Sequence, residues 1–191
     1  ALVAVDPQQG QIGLRLRKVD PADPIRNLRL IMPGCEETYR EEPFHRDFLE
    51  RWKRFGVLRF MDWQRTNNQE LAQWEDRPQP HDLTQATDKG VAIEHVVELC
   101  NRLGADPWLC IPHLATDDYV RQCALAVRKQ LDPQRTVYLE YSNETWNGQF
   151  TQARYCKEQG RRQKLAPDDF SCQLRYSAQR SVGIFSVWER A

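Results

Sequence analysis

Apolar positions along this chain change their period several times, and each change predicts an element. Near the start, Ile12, Leu14 and Leu16 alternate with Gly13, Arg15 and Arg17. That is the period of two of a half-buried strand. Residues 1–5 carry similar strand character before the turn Asp6-Pro7-Gln8-Gln9-Gly10. Asp20-Pro21-Ala22-Asp23-Pro24 then breaks the chain twice, as a linker does. Residues 1–24 are therefore predicted to form a β hairpin, or the tail of a preceding β domain, with its linker.

From Ile25 onward, short apolar runs alternate with helical stripes. Residues 28–32, 57–61, 108–111 and 136–141 predict four strands. Phe44, Phe48, Leu49, Trp52 and Phe55 recur at helical spacing before Gly56. Ile93, Val96, Val97, Cys100 and Leu103 form a second stripe, with Gly104 at the cap position. Thr116 followed by Asp117 and Asp118 marks a helix start, and Asp132-Pro133 marks its stop. Residues 149–163 and 171–190 predict two more helices. The polar run 64–88 predicts a long loop with one helical turn near residues 70–74. Trp52, Trp108 and Trp188 lie inside periodic stripes and are expected in the core. Strands alternating with helices argue a parallel sheet with crossover connections. The predicted class is α/β: an open doubly wound sheet or part of a barrel.

Composition narrows the function classes. The 191 residues carry 27 basic and 27 acidic side chains. This balance argues against nucleic acid as a partner, because counterion release needs a surplus of Lys and Arg. No apolar run approaches the ~20 residues of a membrane helix, so no membrane partner is expected. No glycine-rich phosphate loop follows any predicted strand, which weakens a nucleotide-binding reading. The six cysteines show no C-x-x-C spacing, and most are expected as small buried apolar residues. No metal-ligand pattern is present, so neither a metal nor another cofactor is expected. The acidic pairs Glu36-Glu37 and Glu41-Glu42 are expected as solvated loop charges.

In a parallel β/α fold, chemistry gathers at the C-terminal strand ends. Those ends carry Arg59, Asp62 and Trp63, then His113, then Asn143, Glu144 and Trp146. Carboxylates, amides and flat aromatic rings together suit a sugar. Trp63 and Trp146 are candidate sugar platforms, with Trp74 as a further cleft-lining ring. Strand alternation places Arg59 opposite Leu58 and Phe60, facing inward. A charge there needs a partner or a task, and Asp62 and Glu140 are the candidate partners. The same alternation puts Glu140 with Ser142, and Tyr141 with Asn143.

Asn143-Glu144, at the end of the fourth predicted strand and within the stretch Val137-Tyr-Leu-Glu-Tyr-Ser-Asn-Glu-Thr-Trp-Asn, resembles the pattern of clan A glycoside hydrolases. These are the cellulase-like retaining (β/α)8 barrels. The stretch is most similar to uncharacterised secreted bacterial members fused to carbohydrate-binding modules. The resemblance covers about residues 25–146, half a barrel. It implies a partial (β/α)8 TIM barrel, strands one to four with their helices, over residues 25–191. It further implies Glu144 as general acid/base and Asn143 as ligand of the sugar 2-hydroxyl. His113 and Arg59 match positions lining that family's site, and Asp62, Trp63 and Trp146 join them as candidate substrate contacts. The implied substrate is a β-linked poly- or oligosaccharide, and the implied location is extracellular. The family's nucleophile is a second Glu after strand seven, which has no counterpart in this sequence. The chain is accordingly expected to be a fragment, self-associating through exposed barrel edges. Two alternatives stay open: a non-catalytic carbohydrate-binding or scaffold module with a degenerate barrel, and an open α/β domain of unrelated function.

Overall fold

The computed structural model describes residues 15–26 and 28–191. The chain divides into two units, residues 1–43 and 44–191. In the first, Asp20 and Asp23 form an isolated bridge, and the Ala22 amide bonds the Asp20 side chain at 2.9 Å. The double proline break is thus a tight turn. The Arg29 guanidinium lies over the Tyr39 ring, 5.5 Å from its centre.

The strand expected at residues 28–32 does not form. Leu30 is 87% exposed, and Leu28 and Met32 are also exposed. An apolar run gains nothing as a lone strand, because its backbone groups need a neighbour to pair with. Residues 15–19 are likewise exposed and irregular. The rest of that predicted hairpin lies outside the described residues.

The second unit is a three-stranded parallel sheet alternating with helices. In chain order it runs α1 (Arg46–Trp52), β1 (Val57–Arg59), α2 (Ile93–Leu103), β2 (Asp106–Ile111), α3 (Asp117–Gln130), β3 (Tyr138–Tyr141), α4 (Thr151–Arg162) and α5 (Asp169–Glu189). A single 3-10 turn, Trp74–Asp76, replaces the helical turn expected a few residues earlier. The strand order is β1-β2-β3, with Arg59 opposite Trp108, and Cys110 opposite Glu140. The sheet is open.

The helix signals act as physical chemistry requires. Thr116 Oγ1 accepts from the Tyr119 amide at 3.2 Å and caps α3. Gly104 ends α2 at φ +64°, a left-handed conformation that turns the next amide back to Cys100 O at 3.0 Å. Ile93, Val96, Val97 and Cys100 of α2 are buried, as are Val120, Cys123 and Val127 of α3. They pack with Leu58, Leu109, Ile111 and Tyr141 of the sheet into one core. Cys100, Cys110, Cys123, Cys156 and Cys172 are buried and free, as expected for small apolar side chains.

The opposite face of the sheet carries Val57, Arg59, Trp108, Cys110, Tyr138 and Glu140, with Val57, Trp108 and Tyr138 exposed. Trp108 therefore sits outside the helix-covered core, 36% exposed, because strand parity assigns it to the other face. Trp52 is also exposed, at the end of α1, while Trp188 packs against the core.

Candidate functional site

A connected set of polar side chains crosses the C-terminal end of the sheet. It begins at Arg59, the last residue of β1. Its Nε donates to Glu140 Oε2 at 3.0 Å. Its Nη2 donates to Glu140 Oε2 at 2.8 Å and Oε1 at 3.0 Å. The same Nη2 donates to Asn143 Oδ1 at 2.8 Å. Of the two partners the sequence offered, Glu140 is the one taken. The fork geometry of guanidinium and carboxylate favours this pairing. Burial disfavours the Arg59 charge, but the Glu140 hydrogen bonds and nearby negative charges outweigh it and raise the Arg59 pKa.

Glu140 is engaged on several sides. Its Oε2 also accepts from Trp108 Nε1 at 2.9 Å and from the Cys110 thiol at 3.4 Å. Burial first, then the Glu140 charge, pushes the Cys110 thiol up to about 12. It stays protonated and acts as a donor. The Arg59 guanidinium lies over the Trp108 ring at 5.3 Å, adding a cation–π contact.

Asn143 ends on the same side as Glu140, contrary to simple alternation. Ser142 takes φ +56°, which interrupts the extended backbone and turns the next side chain over. Asn143 is thereby nearly buried and tied down. Its Nδ2 donates to Asn67 Oδ1 at 2.9 Å. Asn67 Oδ1 also accepts from Gln152 Nε2 at 2.8 Å, and the same Nε2 donates to Asn143 O at 2.9 Å. Gln152 Oε1 accepts from the Asn68 amide at 3.0 Å. Asn67, Asn68 and Gln152 are the residues that reading the sequence missed. Their signal was faint: a polar Asn-Asn pair in the loop after β1, and a Gln in the first turn of α4.

Glu144 follows at φ +42°, half-buried, and its Oε2 accepts from Asn147 Nδ2 at 2.8 Å. The surrounding loop is anchored to α5. Thr145 Oγ1 meets Ser177 Oγ at 2.8 Å, and Gln173 Nε2 donates to Thr145 O at 2.6 Å. Trp146, on this loop, is 57% exposed.

His113 lies after β2 and is buried, its ring edge-on to Tyr155 at 5.4 Å. Its carbonyl accepts from Tyr141 OH at 3.1 Å. Burial lowers its pKa to about 4, so the ring is neutral near pH 7. Among the described residues, His113 Nδ1 and, at the end of β3, Ser142 Oγ are buried without a hydrogen-bond partner.

Asp62 and Trp63 line an open groove beside the end of β1, together with Met61, Arg65, Asn67, Gln85, Gly90 and others. Trp63 is half-buried, stacked on Phe48 at 6.2 Å and edge-on to Phe60 at 5.6 Å. Trp74 packs against Tyr119 at 5.4 Å with Arg77 over its ring, and lines an adjoining small pocket that shares Val91 with this groove. Structure thus joins Arg59 and Asn143 directly, with Asn67 shared between their network and the groove that Asp62 and Trp63 line; the Glu144 carboxylate is bonded to Asn147 instead, and His113 meets Tyr141 through its backbone carbonyl. Among the described residues no cluster of His, Cys, Asp or Glu fits a metal ion.

Comparison with known proteins finds no family model that matches the chain and no similar curated protein or solved structure. The functional reading therefore rests on these residues and their geometry.

Proposed function

We propose that the second unit is part of a (β/α)8-type glycoside hydrolase-like domain that binds a β-linked oligo- or polysaccharide. One observation carries this reading. Asn143-Glu144 stands at the C-terminal end of the parallel strand β3, and Asn143 is held by Arg59 of β1, which reaches across the end of β2, at 2.8 Å. In this reading the Asn143 amide meets a sugar hydroxyl. The described hydrogen bonds use one of its two Nδ2 hydrogens. Glu144 protonates the leaving glycosidic oxygen and later removes a proton from the attacking water. Arg59 keeps Asn143 in place. His113, neutral near pH 7, adds a hydrogen-bonding ring without a charge.

A specific observation favours a second reading, carbohydrate binding without cleavage. Retaining chemistry needs a second carboxylate about 5–5.5 Å from the acid/base. The other carboxylate of this cluster, Glu140, is committed to Arg59, Trp108 and Cys110. It is an unsuitable nucleophile, and we assign no described residue to that role.

Glu144→Gln, made in the intact native gene product, tests both readings. If Glu144 is the acid/base, this change abolishes hydrolysis of unactivated β-linked tetrasaccharides, spares activated aryl glycosides far more, and leaves binding intact. Saccharide binding with no hydrolysis in either form selects the binding reading. Hydrolysis undiminished by Glu144→Gln overturns the catalytic assignment.

A further inference from the structure

The groove beside β1 has a volume of about 700 Å³. That lies in the range of pockets that accept extended small ligands. One wall is the loop 61–67, the other the segment 85–91, and the two are locked together. Val91 N donates to Trp63 O at 2.9 Å. Gln69 Nε2 reaches across to both sides, to Gln64 O at 3.3 Å and Asp88 O at 3.1 Å. Gly90, at φ +84°, presses its backbone against Trp63 and Gln64. A Cβ there would lie 2.5 Å from Trp63 O. Gln85 is pinned as well, accepting from the Ala92 amide at 2.8 Å and donating to Gln79 O at 2.9 Å. A groove braced this way is formed before any ligand arrives, which lowers the ordering cost of binding.

Its chemistry is mixed. Trp63, Met61 and Val91 give apolar surface, while exposed Asp62 and Arg65 give an acceptor and a donor of opposite charge. Such a lining suits a neutral polyol better than an ion of either sign. Asn67 belongs both to this groove and to the Asn143 network, at 2.9 Å from Asn143. Asn67 is therefore the residue that couples this groove to the Asn143 network.

We propose that this groove is a further saccharide subsite, entered past Asn67, so that the ligand is a chain of several sugar units. This rests on the carbohydrate reading above, and the test separates the two. The isotope-labelled 191-residue protein is titrated with cellotetraose, xylotetraose and mannotetraose, each alongside its disaccharide, and followed by NMR. The groove-filling variant Ala86→Trp, on an exposed position of the wall, is compared, with the double variant Asp62→Ala, Arg65→Ala as a check independent of added bulk. One tetrasaccharide should shift Trp63, Asn67 and Gly90 together with Asn143. It should bind about tenfold more tightly than its disaccharide, and both variants should erase that advantage. Shifts confined to Asn143 and Glu144, with affinity independent of length and unaffected by Ala86→Trp, overturn the groove and leave the carbohydrate reading standing. No shift with any of the three saccharides at millimolar concentration overturns both.

Discussion

Removing the Glu140 charge while keeping its shape should loosen the end of the sheet that carries the site. In Glu140→Gln, the amide can accept only at one atom, whereas the carboxylate takes three hydrogen bonds from Arg59 and one from Trp108. The pair is intermediate in burial, with side-chain exposures of 35% and 28%. At an effective dielectric of about 20, unit charges 4 Å apart attract by about 4 kcal/mol, against about 1 kcal/mol in water. Part of that attraction offsets the desolvation of both groups. The net loss is therefore expected at about 2 kcal/mol, between the values for exposed and for buried pairs. With a urea slope of about 2 kcal/mol/M, the midpoint falls by about 1 M. A double-mutant cycle with Arg59→Met isolates the coupling. The Asn143 side-chain amide resonance should also shift in Glu140→Gln, because Arg59 Nη2 serves both residues. A coupling energy within about 0.3 kcal/mol of zero, the scatter of independent sites, with an unmoved Asn143 resonance, would refute the argument that Glu140 organises the site.

Two further outcomes follow from single residues. The pKa of His113 falls from an ordinary 6.5 to about 4 on folding. The unfolded chain therefore binds the proton first as pH drops, so the contribution is intact above pH 6.5 and is lost between 6.5 and 4. The loss reaches about 3 kcal/mol, and His113→Asn should remove that part of the acid slope in urea melts run between pH 7 and 4; an unchanged slope would contradict it. Gly160 of α4 faces α5 so closely that an added Cβ would collide with the backbone of Cys172, its carbonyl carbon at 2.6 Å. Gly160→Ala should cost about 2 kcal/mol despite better helix propensity. Gly183→Ala, whose nearest neighbour is the flexible Arg180 tip at 3.8 Å, should be neutral or stabilising. Equal melting temperatures for the two variants would contradict the packing.

The amino-acid sequence alone determined what depends on near neighbours in the chain. The stripes of α2 and α3, the Thr116 and Gly104 caps, and the opposite facing of Leu58 and Arg59 all follow from local period and local hydrogen bonding. The gathering of Arg59, His113, Asn143 and Glu144 at one end of the sheet followed from the rule for parallel strands.

Tertiary structure decided the rest, because it turns on contacts between residues distant in sequence. The run 28–32 has the composition of a strand, yet it forms no ladder; pairing is a property of two segments. Arg59 had two candidate partners, and only the β1-β2-β3 register put Glu140 beside it. Alternation misplaced Asn143, because a single positive φ at Ser142 reverses everything after it. Asn67 and Gln152, 85 positions apart, meet at 2.8 Å to hold that asparagine. No period in the sequence encodes such a meeting; it exists only once the helices have packed against the sheet.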